Sequence, residues 1–179
     1  TSAISGYGGV LLVANNPAGG AGALSQTGGT IDAGAAGANV TIRTGGSATL
    51  AGLVHAGGGI DIQGGMNGIA IPSGYGGNLS IGGNLTAEAG TGVQLLAKGG
   101  SNASGSISQT AGTISGPMVA VSALKDVSLQ GSVLATVGQL DVAAGDAVTY
   151  QYGGNLSIGS GTLQGYGGVT LFAVNTTGA

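Results

Sequence analysis

The chain repeats its own sequence at long intervals. Three segments return in the same order: SQTGGTI at 25–31 as SQTAGTI at 108–114, GGNLSIG at 76–82 at 153–159, and GYGGV at 6–10 at 165–169. Val10, Val93 and Val169 begin equivalent stretches, which gives a long period of 83 and then 76 residues. Repetition on this scale is typical of solenoids, in which each repeat buries its apolar face on the next one.

A shorter period lies inside each long repeat. Apolar–polar–apolar triplets begin at Val40, Ile60 and Leu79, which are 20 and 19 residues apart. Strict alternation is typical of strands that bury one face, and glycine-rich corners separate the triplets. The pattern predicts an all-β fold, a right-handed parallel β-helix (β-solenoid) with about nine coils of roughly 20 residues, four to each long repeat. We expect one solenoid segment over 1–179, an internal part of a longer protein or filament.

Composition excludes several other classes of protein. The 179 residues include 42 glycines, 42% of residues are hydrophobic, only 5% are charged, and the mean hydropathy is +0.42. This is too apolar for a disordered chain, and glycine is too frequent for long helices. A net charge of −3 with three strong bases leaves no cationic surface for nucleic acid. An antiparallel barrel is the structural alternative, but its hairpins would need tight turns between strands of similar length, and the corners here are irregular.

Several segments carry a resemblance to a known family. They are GGNLSIGGNLTAEAG at 76–90, SQTAGTISG at 108–116, VSLQGSV at 127–133 and QLDVAAG at 139–145. The chain resembles the haemagglutinin-repeat region of filamentous haemagglutinin-type exoproteins, large bacterial adhesins exported by two-partner secretion.

The resemblance implies a secreted fibre segment at a bacterial cell surface. Its expected function is structural and adhesive, in attachment, aggregation or biofilm formation. The implied partners are glycans or proteins of host or neighbouring cells, and an outer-membrane transporter reached through a domain that is not in this chain. A self-assembling extracellular filament subunit is an alternative, because solenoid ends present unpaired backbone groups that could support end-to-end association, or lateral association, between copies.

Catalytic chemistry is the remaining alternative, in the form of a carbohydrate-active β-helix enzyme. Such an enzyme would need two acids and a base within about 6 Å in a groove, and we expect no such cluster. Asp61 and Asp141 occupy equivalent positions one long repeat apart, which four coils would separate by about 19 Å. His55 is the only histidine, no GxSxG motif accompanies it, and we expect it at a polar corner or on the surface. We predict no enzyme activity, no cofactor and no metal site.

Asparagine and tyrosine supply two further candidates. Six of the nine asparagines begin an Asn-x-Ser/Thr triplet and are possible glycosylation sites: Asn39, Asn78, Asn84, Asn102, Asn155 and Asn175. The triplet also arises without sugar wherever a polar residue precedes an alternating strand that the repeat then copies. Tyr7, Tyr75 and Tyr166 each lie in a Gly-Tyr-Gly-Gly corner, where we expect the ring to pack over a glycine of the adjacent coil rather than contact a ligand.

Overall fold

The residues that the structure describes form 20 β-strands and no α-helix. The computed structural model describes residues 2–15, 22–65, 76–99, 105–145 and 153–174, and within them no helix is long and apolar enough to cross a membrane. Sheet A contains β1 (Ala3–Ser5), β4 (Thr30–Ala33), β7 (Leu53–Ala56), β10 (Leu85–Ala87), β13 (Thr113–Gly116), β16 (Ser132–Ala135) and β19 (Leu163–Gly165). Sheet B contains β2 (Val10–Ala14), β5 (Val40–Thr44), β8 (Ile60–Gly64), β11 (Val93–Ala97), β14 (Val119–Ala123), β17 (Leu140–Ala144) and β20 (Val169–Ala173). Sheet C contains β3 (Leu24–Gln26), β6 (Ala48–Leu50), β9 (Leu79–Ile81), β12 (Ile107–Gln109), β15 (Val127–Leu129) and β18 (Leu156–Ile158).

The chain visits the three sheets in turn, and each circuit is one coil. Coil 1 consists of β1, β2 and β3, and the following coils repeat that order up to coil 7, which consists of β19 and β20. Every strand pairs in parallel with the equivalent strand of the next coil, at the spacing of about 4.8 Å that a β-ladder imposes. The predicted parallel β-helix is therefore confirmed, and the antiparallel barrel is wrong.

The described residues form seven coils, fewer than the predicted nine. Sheets A and B contain seven strands each, and sheet C contains six. Val40 pairs with Ile60 and Ile114 with Val133, so coils of the predicted length do occur. The other coils are longer. Each long repeat accordingly contains three coils rather than four.

The difference in coil length arises between sheets B and C. The connections 45–47 and 124–126 are short, whereas the other connections between these two sheets are long: 15–23, 65–78, 98–106 and 145–155. A longer connection lengthens the coil that contains it, so coils are not spaced at a fixed interval in the sequence. Counting alternating triplets at a fixed interval therefore overestimated the number of coils.

The core is a continuous column of aliphatic side chains between the three sheets. The first and third residues of most strands face inward, as the alternation predicts, and the largest fully buried side chains are Ile42, Leu50, Ile60, Ile62, Leu79, Ile81, Leu85, Leu95, Ile107, Ile114, Leu129 and Leu140. Each such side chain contributes roughly 1.5–3 kcal/mol when it leaves water. Stacking thus provides the stability that a single coil lacks.

A buried glutamine explains why the SQTxGTI segment recurs. Gln109 is fully buried, and its Nε2 donates hydrogen bonds to the carbonyl oxygens of Gly112 (3.0 Å) and Ser132 (3.1 Å), the second of which belongs to the next coil. Gln26 makes the same pair of bonds, to Gly29 and Leu53. The amide closes the corner between sheets C and A and ties it to the neighbouring coil.

Candidate functional site

Three ionisable side chains of sheet A meet on the outer face of the rod. Asp32 in β4 is the register partner of His55 in β7, so the two side chains lie one above the other in coils 2 and 3. Both point outward, because their neighbours along each strand are buried in the core. Glu88 follows β10 in coil 4, and its backbone N–H donates to the Ala56 carbonyl (2.9 Å), which holds Glu88 beside β7.

The imidazole of His55 bridges the two carboxylates. His55 Nδ1 lies 2.8 Å from Asp32 Oδ1, and His55 Nε2 lies 3.0 Å from Glu88 Oε1. The His55 side chain is 26% exposed, Asp32 is 42% exposed and Glu88 is 60% exposed. Gly34 leaves room for the pair, because a Cβ at that position would lie 3.1 Å from Asp32 Oδ1 and 3.4 Å from His55 Cε1.

The two carboxylates favour the charged imidazolium. The hydrogen bond with Asp32, followed by that with Glu88, raises the pKa of His55 above its ordinary value, and partial burial opposes the shift. An imidazolium donates from both nitrogens and has no lone pair left to accept a proton. The imidazole also lies between the two carboxylates, in the space that a sugar and a water molecule would need in a glycoside hydrolase.

The expectation that no two acids would meet around a base is therefore wrong at this place. An open groove of about 580 Å³ borders the cluster, lined by Ser5, Gly6, Tyr7, Asp32, Gly34 and Ala35. His55 lies on the outer surface, one of its two expected places, but in a strand rather than at a corner, and it is half-buried. The strand register brings together side chains that lie far apart in the sequence.

A second charged cluster lies on sheet B. Arg43 Nη2 forms an ion pair with Asp61 Oδ2, and Arg43 Nη1 donates to the backbone carbonyl of Asp61 (3.2 Å). Gln63 Nε2 donates to Asp61 Oδ1 at 3.0 Å. Asp141 is three coils away from Asp61 rather than the predicted four, and its register partners are Ala120 and Thr170. The two equivalent aspartates are thus about 14 Å apart and do not form a pair.

The asparagines of the Asn-x-Ser/Thr triplets connect successive coils. The Oδ1 atom of Asn39 accepts the Gly59 N–H (2.7 Å), that of Asn78 accepts the Ser106 N–H (3.0 Å), and that of Asn84 accepts the Thr113 N–H (2.9 Å). Each asparagine immediately precedes a strand. Gly59 and Ser106 immediately precede the paired strand of the next coil, and Thr113 is the first residue of that strand.

An aspartate makes the same kind of bond before β15, where Asp126 Oδ1 accepts the backbone N–H of Asn155 in the next coil (2.8 Å). This bonding gives a structural reason for a polar residue before each strand, and so for part of the recurrence of the triplet. Asn39, Asn78, Asn84 and Asn155 are exposed. Asn102 and Asn175 lie outside the described residues. Glycosylation at these positions stays a prediction.

Two corner tyrosines project into solvent. Tyr7 is 96% exposed and Tyr166 is 79% exposed, so the predicted packing over a glycine is wrong for both, while Tyr75 lies outside the described residues. Each ring is at the tip of a corner between sheets A and B that ends in a glycine with positive φ, 124° at Gly9 and 122° at Gly168. We call the exposed large side chains of these corners the A–B edge: Tyr7, Met118, Val137 and Tyr166.

Comparison with protein-family models, with curated proteins and with solved structures gives no match. Within the part of the chain that the structure describes, no three His, Cys, Asp or Glu side chains converge as a metal site would require. In the Asp32–His55–Glu88 cluster the histidine separates the acids instead of joining them around a common point.

Proposed function

We propose that this chain is a structural and adhesive segment of a secreted bacterial surface fibre of the filamentous haemagglutinin type. The observation that carries the proposal is the A–B edge, where large apolar and aromatic side chains are exposed although the aliphatic core of the rod is continuous. Met118 and Val137 are 45% and 71% exposed, and with Tyr7 and Tyr166 they present apolar and aromatic surface along one side. Met118, Val137 and Tyr166 lie at the A–B corners of three successive coils, and clustered exposed apolar side chains are a feature of interaction sites.

The long sequence repeat places the same exposed tyrosine at two points along the rod, which suits attachment at several points. The same GYGGV corner occurs in coil 1 and coil 7, which places Tyr7 and Tyr166 about 29 Å apart along the rod. Tyrosine offers a rigid ring and a hydroxyl, a combination that suits both glycan and protein surfaces. Two weak contacts on one rod bind more tightly than either alone when the partner repeats.

Beads coated with the segment provide the test of adhesion. We expect the double variant Tyr7→Ser with Tyr166→Ser to lose most of the bead attachment to cultured cells, because both rings are removed from the A–B edge. Leu11→Ser is the matched control, since Leu11 is 66% exposed but lies on the face of sheet B. Full attachment by the double variant, with its β-sheet circular dichroism intact, would refute the proposal.

Location at the cell surface follows from the same proposal. Antibody raised against the segment should label intact producing cells. Labelling that appears only after the cells are permeabilised would contradict a surface fibre.

A filament subunit is a second candidate, because a parallel β-stack can extend by pairing the backbone groups of one copy with those of another. Electron microscopy decides this point: long filaments support the subunit, and single short rods exclude it.

We infer no catalytic role for the Asp32–His55–Glu88 cluster. Both imidazole nitrogens are engaged by carboxylates, so neither is free to accept a proton from a nucleophile. Incubation with a panel of polysaccharides should release no reducing ends. Release that His55→Gln abolishes would reverse this inference.

A further inference from the structure

The Asp32–His55–Glu88 cluster joins three successive coils through one side chain. Asp32 belongs to coil 2, His55 to coil 3, and Glu88 follows the sheet-A strand of coil 4. The other ion pair in the described part of the chain, Arg43–Asp61, joins coils 2 and 3 alone. The histidine therefore contributes to two coil–coil interfaces at once.

The protonation state of the imidazole determines how many of these contacts are favourable. The imidazolium has two N–H groups, and it can donate one to each carboxylate. Neutral imidazole has one N–H, so its other nitrogen would direct a lone pair at a carboxylate oxygen. Loss of the proton thus turns one attractive contact into a repulsive one and removes the positive charge between two negative charges.

No other ionisable group among the described residues offsets this change. The side chain that faces His55 from β4 is Asp32, and from β10 its register partner is Thr86, followed by Glu88. β7 itself contains no further titratable residue, and Tyr7 borders the groove on the far side of Asp32. Arg43 and Asp61 are on sheet B.

We propose that Asp32, His55 and Glu88 form a proton-dependent clasp that ties coils 2, 3 and 4 together and loosens in alkaline medium. The folded pKa of His55 is raised above its unfolded value. The stabilisation is consequently complete below the unfolded pKa of about 6.5 and is lost as the pH rises through the higher folded pKa. In its alkaline state the rod keeps its sheets but holds these coils less firmly.

Proton NMR tests the clasp directly, because His55 is the only histidine of the chain. We expect its ring resonances to titrate with a midpoint above 6.5, the ordinary value. Asp32→Asn and Glu88→Gln should each lower that midpoint, whereas Asp141→Asn, on sheet B, should leave it unchanged. A midpoint at or below 6.5 in the unmodified segment, or one that neither substitution moves, would overturn the proposal.

Urea unfolding at pH 6 and pH 9 tests the effect on stability. We expect the unfolding equilibrium constant to rise by about two- to fivefold more between these pH values in the unmodified segment than in His55→Gln, the range of partly exposed ion pairs. Arg43→Gln is the control, since it removes the ion pair on sheet B and leaves His55 and both of its carboxylate partners in place, so it should retain the pH dependence. Equal pH dependence in the unmodified segment and His55→Gln would overturn the clasp.

Discussion

The side-chain amide of Gln109 occupies the space that a Cβ atom at Gly131 would need. A Cβ added to Gly131 would lie 2.6 Å from Gln109 Nε2, the atom that donates to the carbonyls of Gly112 and Ser132, and would also overlap the Gly112 carbonyl. Gln26 and Gly52 have the same relationship one long repeat earlier. We call each glutamine, together with the two carbonyls that it binds and the glycine that it packs against, a glutamine clamp. The glycine lies at the equivalent corner of the next coil.

Gly131→Ala should destabilise the rod by about 1–3 kcal/mol, because the added methyl group displaces a buried hydrogen-bonded amide and meets backbone. Urea unfolding followed by circular dichroism measures the change. Gly28→Ala is the matched control, since its Cβ would meet nothing within 4 Å, and it should be neutral or stabilising by a few tenths of a kcal/mol. Equal stability of the two variants would contradict the clamp.

Ile62→Ala should cost about 2–5 kcal/mol, because Ile62 is fully buried between Ile42 and Leu95 in the column of sheet B and the truncation leaves a cavity. The comparison is Val137→Ala on the A–B edge, where the side chain is 71% exposed and the expected change is within about 0.5 kcal/mol. Thermal or urea unfolding measures both. A small effect at Ile62 would mean that the column is not closely packed.

Asn84→Ala should lower the free energy of unfolding by about 0.5–1.5 kcal/mol, since the Thr113 N–H loses its acceptor. Asn84→Asp should retain most of the stability, because Asp126 already fulfils this role for Asn155. Both substitutions remove an Asn-x-Ser/Thr triplet, so any loss common to both in protein from its native source would point to an attached sugar. Identical stability of the Ala and Asp variants in sugar-free protein would refute the acceptor role.

Asp61→Asn should destabilise the segment by about 0.2–1 kcal/mol through loss of the ion pair with Arg43, and the difference should shrink at high salt. Asp141→Asn, at the equivalent position three coils later, should have no measurable effect, because its register neighbours are Ala120 and Thr170. Unfolding at low and high ionic strength compares them. A larger loss at Asp141 would contradict this assignment.

The strands could be predicted from sequence where alternation is strict, and the coil count could not. Val40-Thr41-Ile42 and Ile60-Asp61-Ile62 identify both strands and faces, because inward and outward residues differ in polarity. Leu79 begins a strand of sheet C in the same coil as Ile60, but its spacing from Ile60 is close to that between Val40 and Ile60, which belong to successive coils. Counting at a fixed interval therefore took one coil for two.

The clasp could not be predicted from the alternation alone, because His55 is 23 residues from Asp32 and 33 from Glu88. Because the coils differ in length, a fixed spacing in the sequence does not show which residues are register partners. A signal does exist in the strand endings, since Asp32 and His55 each precede a buried alanine, Ala33 and Ala56, and these alanines are register partners. Aligning the strands on that alanine would have stacked the aspartate on the histidine.

All large differences in coil length lie in the connections between sheets B and C, while every sheet keeps its parallel register. Residues can therefore be gained or lost at that one border without disturbing the ladder of backbone hydrogen bonds. Over evolution the sequence at that border could vary in length while the folding of the scaffold stays the same.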